Sequence, residues 1–464
     1  MKGITRLTLV TVVIVVVVLG AVAAFLISRG GPSATATTTP TRGAAEVVGT
    51  TTSSPATSSP LPTSAVPASA TPTHRKIRVA VLFDVGGRGD LSFNDMAWMG
   101  AMKAAKDFGI EVDFMTPKSL ADMPKILAQL ARSRKYDLII LVGFLWTKAL
   151  NETADKFPYQ KFALIDATTG VVRPNEVDIL FREQECAALI GIIAADIAYN
   201  LMKELNISGP IKIGAVAGMS IPPLWRFHIG YLFGAKFYEK MTGRKVELLW
   251  TYTGTFNKPT VGYQTAMDLL QKGALVLYGL AGLTHIGMFD AVIDWNKQGR
   301  KAFAIGQDAS QEWYAPQYIP FSGAKRVDVA VYKAIEMVVK GTWKGGIYVL
   351  GIKEGGVGIW DLDHVKWFAE QAVKVCREKE QKGEPVPAWC KHVMSPDKVV
   401  EIVKKLREKY VSSEAWHLVE KLKKMIISGQ IEFKNPKTAE EYEKIIKELE
   451  KGNLDAALAK GHIE

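Results

Sequence analysis

The chain has 464 residues, of which 48% are hydrophobic and 23% are charged, as in a globular protein of two or more domains. Its formal net charge is +11, but no block of basic residues alternates with aromatic residues. Because proteins that bind nucleic acid usually carry such a basic stripe or patch, we expect no nucleic-acid partner.

Residues 1–30 predict a membrane anchor. The stretch Leu7–Ile27 contains no charged residue, and about 20 apolar residues are enough to cross the roughly 30 Å of hydrocarbon in a bilayer. Lys2 and Arg6 precede this stretch, which favours an N-terminus inside the cell and the rest of the chain outside. The alternative is a cleaved signal peptide, although signal peptides usually have apolar cores of about 7–15 residues. A lipid anchor on a nearby cysteine is excluded, because the first cysteine is Cys186.

Residues 31–75 are rich in Ser, Thr, Pro and Ala and have no apolar period, so this segment cannot bury enough surface to fold. We interpret it as a disordered stalk at the cell surface. Further along, Cys376 and Cys390 flank a short polar segment and either form a local disulfide or remain free thiols. Cys186 lies alone in an apolar helical stretch and is expected to be buried.

Beyond the stalk, short apolar strands alternate with helices. The strand candidates are "KIRVAVLFDV", "YDLIILVGF", "KFALIDA", "KIGAVAG", "KVELLWTYTG", "ALVLYGLAG" and "RKAFAIGQD". Such alternation predicts an α/β fold with parallel sheets, and this many units predicts two doubly wound lobes joined by a hinge. We assign about 76–182 and 306–335 to lobe 1, and about 183–305 and 336–360 to lobe 2. Because ligands of such sheets bind beyond the carboxyl ends of the strands, the two lobes should share one cleft.

The stretch "DVGGRGDLSFNDMAW" is the first candidate for the cleft. Asp84 ends the first strand, a glycine-rich loop follows, and either Asp90 or Ser92 is placed to cap the next helix. Phe93 and Asn94 then fall on the first turn of that helix. An aromatic face beside an amide suits a flat heterocycle, which stacks on the ring and hydrogen-bonds the amide. The alternative is that Phe93 packs on its own lobe.

Eight blocks of the sequence, in order, resemble the basic membrane protein family, which comprises the extracytoplasmic nucleoside-binding lipoproteins of ABC transporters. The blocks are "DVGGRGDLSFNDMAWMGAMKAA", "YDLIILVGFLWTKAL", "KFALIDA", "FREQECAALIGIIAA", "KIGAVAGMSIPPLWRFHIGYLFGAK", "YTGTFNKP", "AKRVDVAVYKAI" and "GGIYVLGIKEGGVGI". The resemblance extends from about residue 76 to residue 358. It implies a type I periplasmic-binding-protein fold that closes on its ligand.

The resemblance also implies how a purine base would be held. In this family the Phe of the Ser-Phe-Asn motif stacks on one face of the base, here Phe93, and the following Asn94 contacts the base edge. Asp84 and Asp166 match strand-end aspartates, the second of which reads the base. Phe256 matches the Phe that closes the other face, although it could instead belong to the core of its lobe.

For the sugar, the resemblance implies contacts from Gly282, Asp308 and Lys325. A strand-end carboxylate such as Asp308 could instead cap a helix, and Lys325 could lie at the surface. The family's "GGTG" reads "GLTH" in this chain, which places Leu283 and His285 beside the expected sugar site and leaves the sugar specificity open. We interpret His285 as a loop residue rather than a metal ligand, because no second ligand stands at metal-site spacing.

Three tryptophans near the matched blocks, Trp146, Trp225 and Trp313, are expected to enlarge the aromatic lining of the cleft. After the matched region, amphipathic stretches predict a helical extension over 361–464. This extension either packs on one lobe or provides a docking surface for a transporter subunit.

We therefore predict a monomeric substrate-binding protein of an ABC importer, anchored in the cell membrane with its ligand-binding domain outside. Its partners would be a nucleoside, in particular a purine nucleoside, and a membrane permease, and it would need no cofactor. The alternative is a surface receptor of the same fold that reports to a signalling partner. An enzyme is not expected, because the sequence has no G-x-S-x-G or H-E-x-x-H motif and no clustered catalytic carboxylates.

Overall fold

A computed structural model describes residues 75–463 of the chain. The predicted anchor (1–30) and all but the last residue of the predicted stalk (31–75) lie outside the described residues. The strands are β1 (Arg78–Leu82), β2 (Glu111–Met115), β3 (Leu138–Val142), β4 (Lys161–Ile165), β5 (Glu176–Phe181), β6 (Ile211–Ala217), β7 (Val246–Tyr252), β8 (Val276–Leu280), β9 (Phe303–Asp308), β10 (Phe321–Lys325), β11 (Gly346–Leu350), β12 (Val357–Ile359), β13 (Glu432–Phe433) and β14 (Leu458–Lys460).

Twelve α-helices are interleaved with the strands of residues 75–463. They are α1 (Phe93–Phe108), α2 (Met123–Ser133), α3 (Thr147–Thr153), α4 (Glu183–Leu205), α5 (Pro222–Thr242), α6 (Pro259–Gln271), α7 (Leu283–Lys297), α8 (Val327–Val339), α9 (Leu362–Gln381), α10 (Pro396–Tyr410), α11 (Ser413–Ile427) and α12 (Ala439–Glu450). The chain therefore alternates strand and helix as the sequence predicts, because each short apolar strand ends at turn-forming residues before an amphipathic or apolar helix begins.

Twelve strands form two six-stranded sheets, one in each lobe, and β13 and β14 form a small antiparallel pair in the C-terminal extension. The lobe 1 sheet has the order β11-β5-β4-β3-β1-β2, and all its pairs are parallel. The lobe 2 sheet has the order β12-β10-β9-β8-β6-β7 and is parallel except for β12, which runs antiparallel to β10. The predicted fold, two doubly wound lobes of the type I periplasmic-binding-protein kind, is confirmed.

The chain crosses between the lobes three times: between β5 and α4, between β10 and α8, and between β11 and β12. The predicted lobe boundaries are therefore wrong in two places. Strands β9 and β10 belong to lobe 2, although residues 306–335 were predicted to lie in lobe 1. Strand β11 belongs to lobe 1, although 336–360 was placed in lobe 2. The physical reason is that strand partners are chosen by backbone hydrogen bonds between distant segments, which local apolar patterns do not reveal.

Helix α4 is the core helix of lobe 2. Among the described residues it alone is long and apolar enough to cross a membrane, but 89% of its apolar window is buried inside the protein. It packs directly on α5 through glycines: a Cβ on Gly191 would overlap the backbone of Tyr231, and one on Gly234 would overlap that of Ala188. This close approach lets the two helices share one buried face.

The C-terminal extension packs on lobe 2, with α11 against α4 and α12 against α5. Cys376 and Cys390 form a disulfide that joins the end of α9 to the next turn, which resolves the two alternatives left by the sequence. Cys186 is a buried free thiol, as predicted. The segment around β13 also reaches the first crossing, where Glu432 lies 2.9 Å from the Arg182 guanidinium.

Candidate functional site

The carboxyl ends of strands from both sheets face one cleft between the lobes. The space in this cleft that is free of protein atoms is about 620 Å³, part of it at the open mouth. The structure brings all eight predicted site residues together in the wall of this cleft. They are Asp84, Phe93, Asn94, Asp166, Phe256, Gly282, Asp308 and Lys325.

The loop before α1 is organised by Asp90. Its carboxylate accepts hydrogen bonds from the backbone N–H groups of Ser92 (3.1 Å), Asn94 (2.8 Å) and Asp95 (3.1 Å), so it satisfies the free donors at the start of the helix. Of the two residues that the sequence offered as a cap, Asp90 therefore takes this role. The Ser92 side chain is free to point into the other lobe, and the first turn presents Phe93 to the cleft.

Asn94 is locked in one orientation. Its Nδ2 donates to Asp84 Oδ1 (2.9 Å) and to Asp90 Oδ2 (3.1 Å), while its Oδ1 is buried without a hydrogen-bond partner in the protein. Burial raises the pKa of the Asp84 carboxyl, and the donated hydrogen bond from Asn94 opposes this shift. Burial and the nearby Asp95 raise the pKa of Asp90 well above its usual value. The arrangement leaves one amide oxygen available to accept a hydrogen bond from a ligand.

Two phenylalanines enter the cleft from opposite lobes. Phe93 lies beside Gly143, where an added Cβ would be 3.4 Å from the Phe93 ring, and Phe256 covers Gly218 so closely that a Cβ there would overlap its ring. Both rings are half-buried in this structure. Phe144 and Phe227 also line the cleft. The wall therefore combines aromatic faces from both lobes with a small number of polar groups.

Asp166 and Asp308 hold equivalent positions at the ends of β4 and β9. Both have left-handed backbone conformations, with φ of 72° and 71°, an uncommon state for residues other than glycine that is found at constrained functional positions. Asp308 Oδ2 accepts a hydrogen bond from Ser92 Oγ (2.6 Å) and its Oδ1 accepts one from Gln307 Nε2 (3.2 Å). Burial raises the pKa of Asp308, while the nearby Lys325 ammonium lowers it.

Lys325, at the end of β10, is the buried cation of the cleft. Its Nζ lies 2.5 Å from Asp166 Oδ1 and 2.9 Å from Glu183 Oε1, and its side chain is only 2% exposed. Burial alone would lower the pKa of Lys325, but the Asp166 and Glu183 carboxylates outweigh burial and raise it. The rings of Phe93 and Phe227 lie 5.3 Å and 5.4 Å from the ammonium. Lys325 is therefore a charged group of the cleft and not a surface residue.

The two lobes touch each other directly around the cleft. Ser92 Oγ in lobe 1 donates to Asp308 in lobe 2, and Gln311 Nε2 of lobe 2 donates to Leu91 O of lobe 1 (3.0 Å). At the other side of the cleft, Asn257 Nδ2 donates to the carbonyl oxygen of a lobe 1 loop residue (3.3 Å). These contacts describe a closed arrangement of the lobes.

His285 does not contact the cleft, and its assignment to a loop was wrong. It lies on the first turn of α7, is 1% exposed, and accepts a hydrogen bond at Nδ1 from the Ala281 N–H (3.1 Å) while its Nε2 is 3.0 Å from Gln311 Oε1. Burial lowers the pKa of His285 to about 4, so the imidazole is neutral. Leu283 also lies outside the cleft lining, whereas Gly282 (φ 52°) lines it next to Phe256.

The expectation that Trp146, Trp225 and Trp313 line the cleft is also wrong. Trp146 is fully buried in lobe 1, Trp225 stacks on Tyr442 of the extension with ring centroids 5.5 Å apart, and Trp313 packs on Trp389 at 5.0 Å. Sequence proximity to the matched blocks did not predict their side-chain directions. Within residues 75–463, no group of three or more His, Cys, Asp and Glu side chains converges in a way that could hold a metal ion.

Comparison with known proteins places the chain in a family. Residues 77–385 match the family model described as ABC transporter substrate-binding protein PnrA-like. An uncharacterized lipoprotein of Pyrococcus abyssi is 66% identical over 391 residues, which are 84% of this chain and 92% of that protein. Basic membrane protein B of Borreliella burgdorferi is 28% identical over 304 residues, 63% of this chain and 84% of that protein.

A solved structure agrees with this assignment. The crystal structure of an ABC transporter solute-binding protein from Aeropyrum pernix superposes with a TM-score of 0.77 at 54% identity, covering 82% of this chain and 100% of that one. The chain therefore belongs to the PnrA-like family of ABC transporter substrate-binding proteins.

Proposed function

We propose that this protein captures a nucleoside, in particular a purine nucleoside, outside the cell and delivers it to the permease of an ABC importer. The observation that carries the proposal is the convergence of Phe93 and Phe256, from opposite lobes, on a cleft that is otherwise lined by apolar residues together with carboxylates, amides and one lysine. Two aromatic faces that approach from opposite lobes suit a flat base, because stacking on both faces is complete only when the cleft is shut.

The edge of the base would meet Asn94. Its buried Oδ1 has no partner in the protein, and an unsatisfied buried polar group costs roughly 1–3 kcal/mol. An N–H group on the ligand would remove that cost, whereas a ligand with only acceptors at this position would leave it in place. Asp166, which follows the end of β4 in the same lobe, would be a second hydrogen-bond acceptor for the base.

The sugar would meet Asp308 and Lys325. A carboxylate accepts hydrogen bonds from two donors at once, which suits the vicinal hydroxyl groups of ribose, and an ammonium group donates to hydroxyl oxygens. Gly282 lets the backbone approach closely at this point, since a Cβ there would lie 3.3 Å from the Phe256 carbonyl oxygen. A sugar that lacks a hydroxyl group would leave buried polar groups unpaired and would bind more weakly.

The proposed location follows from the first part of the chain. Relatives such as the Pyrococcus abyssi protein carry the name lipoprotein, yet the first 185 residues of this sequence contain no cysteine. We therefore propose that the uncharged segment Leu7–Ile27 is the membrane tether. The disulfide between Cys376 and Cys390 supports an oxidising, extracellular location.

The test is thermal unfolding and calorimetric titration of the protein with a panel of purine and pyrimidine nucleosides, free bases and sugars. A ligand present at 100 times its dissociation constant stabilises the folded state by about 2.7 kcal/mol. We expect a purine nucleoside to raise the unfolding temperature and a free sugar to leave it unchanged. Stabilisation by a sugar alone would contradict the proposed ligand while leaving the family assignment intact.

A further inference from the structure

A second buried ion pair stands directly behind Lys325, outside the cleft lining. Glu183 Oε2 lies 2.5 Å from Arg226 Nε, and Glu183 Oε1 lies 3.2 Å from Arg226 Nη2. The side chains of Glu183 and Arg226 are 0% and 5% exposed. Glu183 Oε1 is the same oxygen that contacts Lys325 Nζ at 2.9 Å. One carboxylate therefore joins the cation of the cleft to a guanidinium that the ligand cannot reach.

The geometry of this pair restricts the position of Glu183. The Arg226 guanidinium is planar and grips the carboxylate with two N–H groups, which fixes the carboxylate plane. On its far side, Arg226 Nη1 lies 3.5 Å from Asn435 Oδ1, which is a long contact for a hydrogen bond. Glu183 is also the first residue of α4, where the helix dipole favours a negative charge. A flexible lysine is thereby held by a rigid anchor.

Lys325 contacts two carboxyl groups, Asp166 and Glu183, and the charge of Asp308 also acts on it. The buried cluster has two cations, Lys325 and Arg226, and two carboxyl groups, Asp166 and Glu183. With Glu183 removed, Asp166 would be the single carboxylate in contact with Lys325. Removing one partner of a buried cation is costly, because water does not replace the lost contact, and a shift of the Lys325 side chain would reduce that cost.

The cluster also connects the two lobes. Glu183 directly follows the first crossing, Lys325 directly precedes the second crossing, and Asp166 belongs to lobe 1. The contact of Lys325 with Glu183 joins the two crossings, whereas its contact with Asp166 spans the cleft. The ammonium is therefore held from two sides, by Asp166 in the cleft wall and by Glu183 at the first crossing.

We infer that Glu183, gripped by Arg226, is the positioning residue for Lys325 and holds its ammonium at the point where the proposed sugar site meets both lobes. Glu183 acts through Lys325 and does not touch the ligand. The inference rests on the proposed function, since it takes Lys325 as a ligand contact. The affinity for the ligand would then depend on Glu183 and Arg226, two residues that lie outside the cleft lining.

The test compares Glu183→Gln with Glu185→Gln in the full chain. Glu185 lies on the same first turn of α4 and is buried, but its carboxylate accepts from the Ile352 N–H at 2.6 Å and does not contact Lys325. Glu183→Gln should weaken binding of a purine nucleoside on the order of tenfold or more. The reason is that the Lys325 ammonium loses its charged contact with Glu183 and no longer stands in the position that the ligand requires. Glu185→Gln should change the affinity by less than about twofold, and Glu183→Asp should restore part of the loss.

A crystal structure of the unliganded Glu183→Gln protein gives a result that does not depend on the identity of the ligand. We expect Lys325 Nζ to have left its position between Glu183 and Asp166, while the same atom stays in place in Glu185→Gln. An unmoved Nζ in Glu183→Gln would refute the positioning role. If no nucleoside binds the unaltered protein, the proposed function fails, and this structure still decides the positioning role separately.

Discussion

Replacing Phe93 by alanine should remove half of the proposed base sandwich without unfolding the protein. Stacking of a base on an aromatic side chain contributes about 1–3 kcal/mol, as measured by alanine substitution, so the dissociation constant of a purine nucleoside should rise by roughly 5- to 150-fold. The ring is half-buried on the first turn of α1 and lies against Gly143. Its loss should therefore cost less stability than the removal of a fully buried phenylalanine.

The assay is isothermal titration calorimetry, with the unfolding temperature of each variant measured alongside. Phe114→Ala is the matched control, because Phe114 lies in the same lobe, is 52% exposed, and packs on Trp98 outside the cleft. We expect its affinity for the ligand to equal that of the unaltered protein. An unchanged dissociation constant in Phe93→Ala would refute stacking on this ring, and an equal loss in both variants would show that the effect is general to lobe 1.

Further outcomes follow from other parts of the structure. Gly218→Ala should weaken ligand binding, as measured by calorimetry, because its Cβ would overlap the Phe256 ring and push it from its position; unchanged binding would mean that this ring position is not needed. Reduction of the Cys376–Cys390 disulfide, which closes a loop with a sequence separation of 14, should destabilise the extension by about 3 kcal/mol, seen as a lower unfolding temperature in calorimetry with unchanged ligand affinity. Burial raises the pKa of Glu185 from 4.5 to about 7. Between these values the unfolded state has lost a proton that the folded state keeps, so stability falls as the pH rises. Glu185→Gln should flatten the dependence of the unfolding temperature on pH between these two values. An identical slope in the variant and in the unaltered protein would contradict the raised pKa of Glu185.

The sequence by itself determined the class of fold and most of the cleft. Apolar strands that end in Gly or Asp, followed by helices, are local patterns, and they predicted two parallel, doubly wound lobes. Strand ends in such sheets meet at one edge, which is why the end of the first strand predicted Asp84 in the cleft, whereas Asp166 and Asp308 were predicted by the resemblance to the basic membrane protein family. The Ser-Phe-Asn stretch placed Phe93 and Asn94 there because a helix start follows directly from the turn before it.

Only the tertiary structure decided which strands share a sheet and which way side chains point. Strands β9 and β10 pair within lobe 2 through hydrogen bonds to distant segments, so no local pattern marked the lobe boundary. His285 faces Gln311, and Trp146 faces its own lobe core, because packing against remote elements selects the rotamer. Glu183 and Arg226 are separated by 43 residues, and their contact with each other and with Lys325 arises only when two crossings and two helices are assembled around one buried point. Periodicity and turn chemistry act over a few residues and can be read from a sequence, whereas burial, charge pairing and side-chain direction depend on the whole fold.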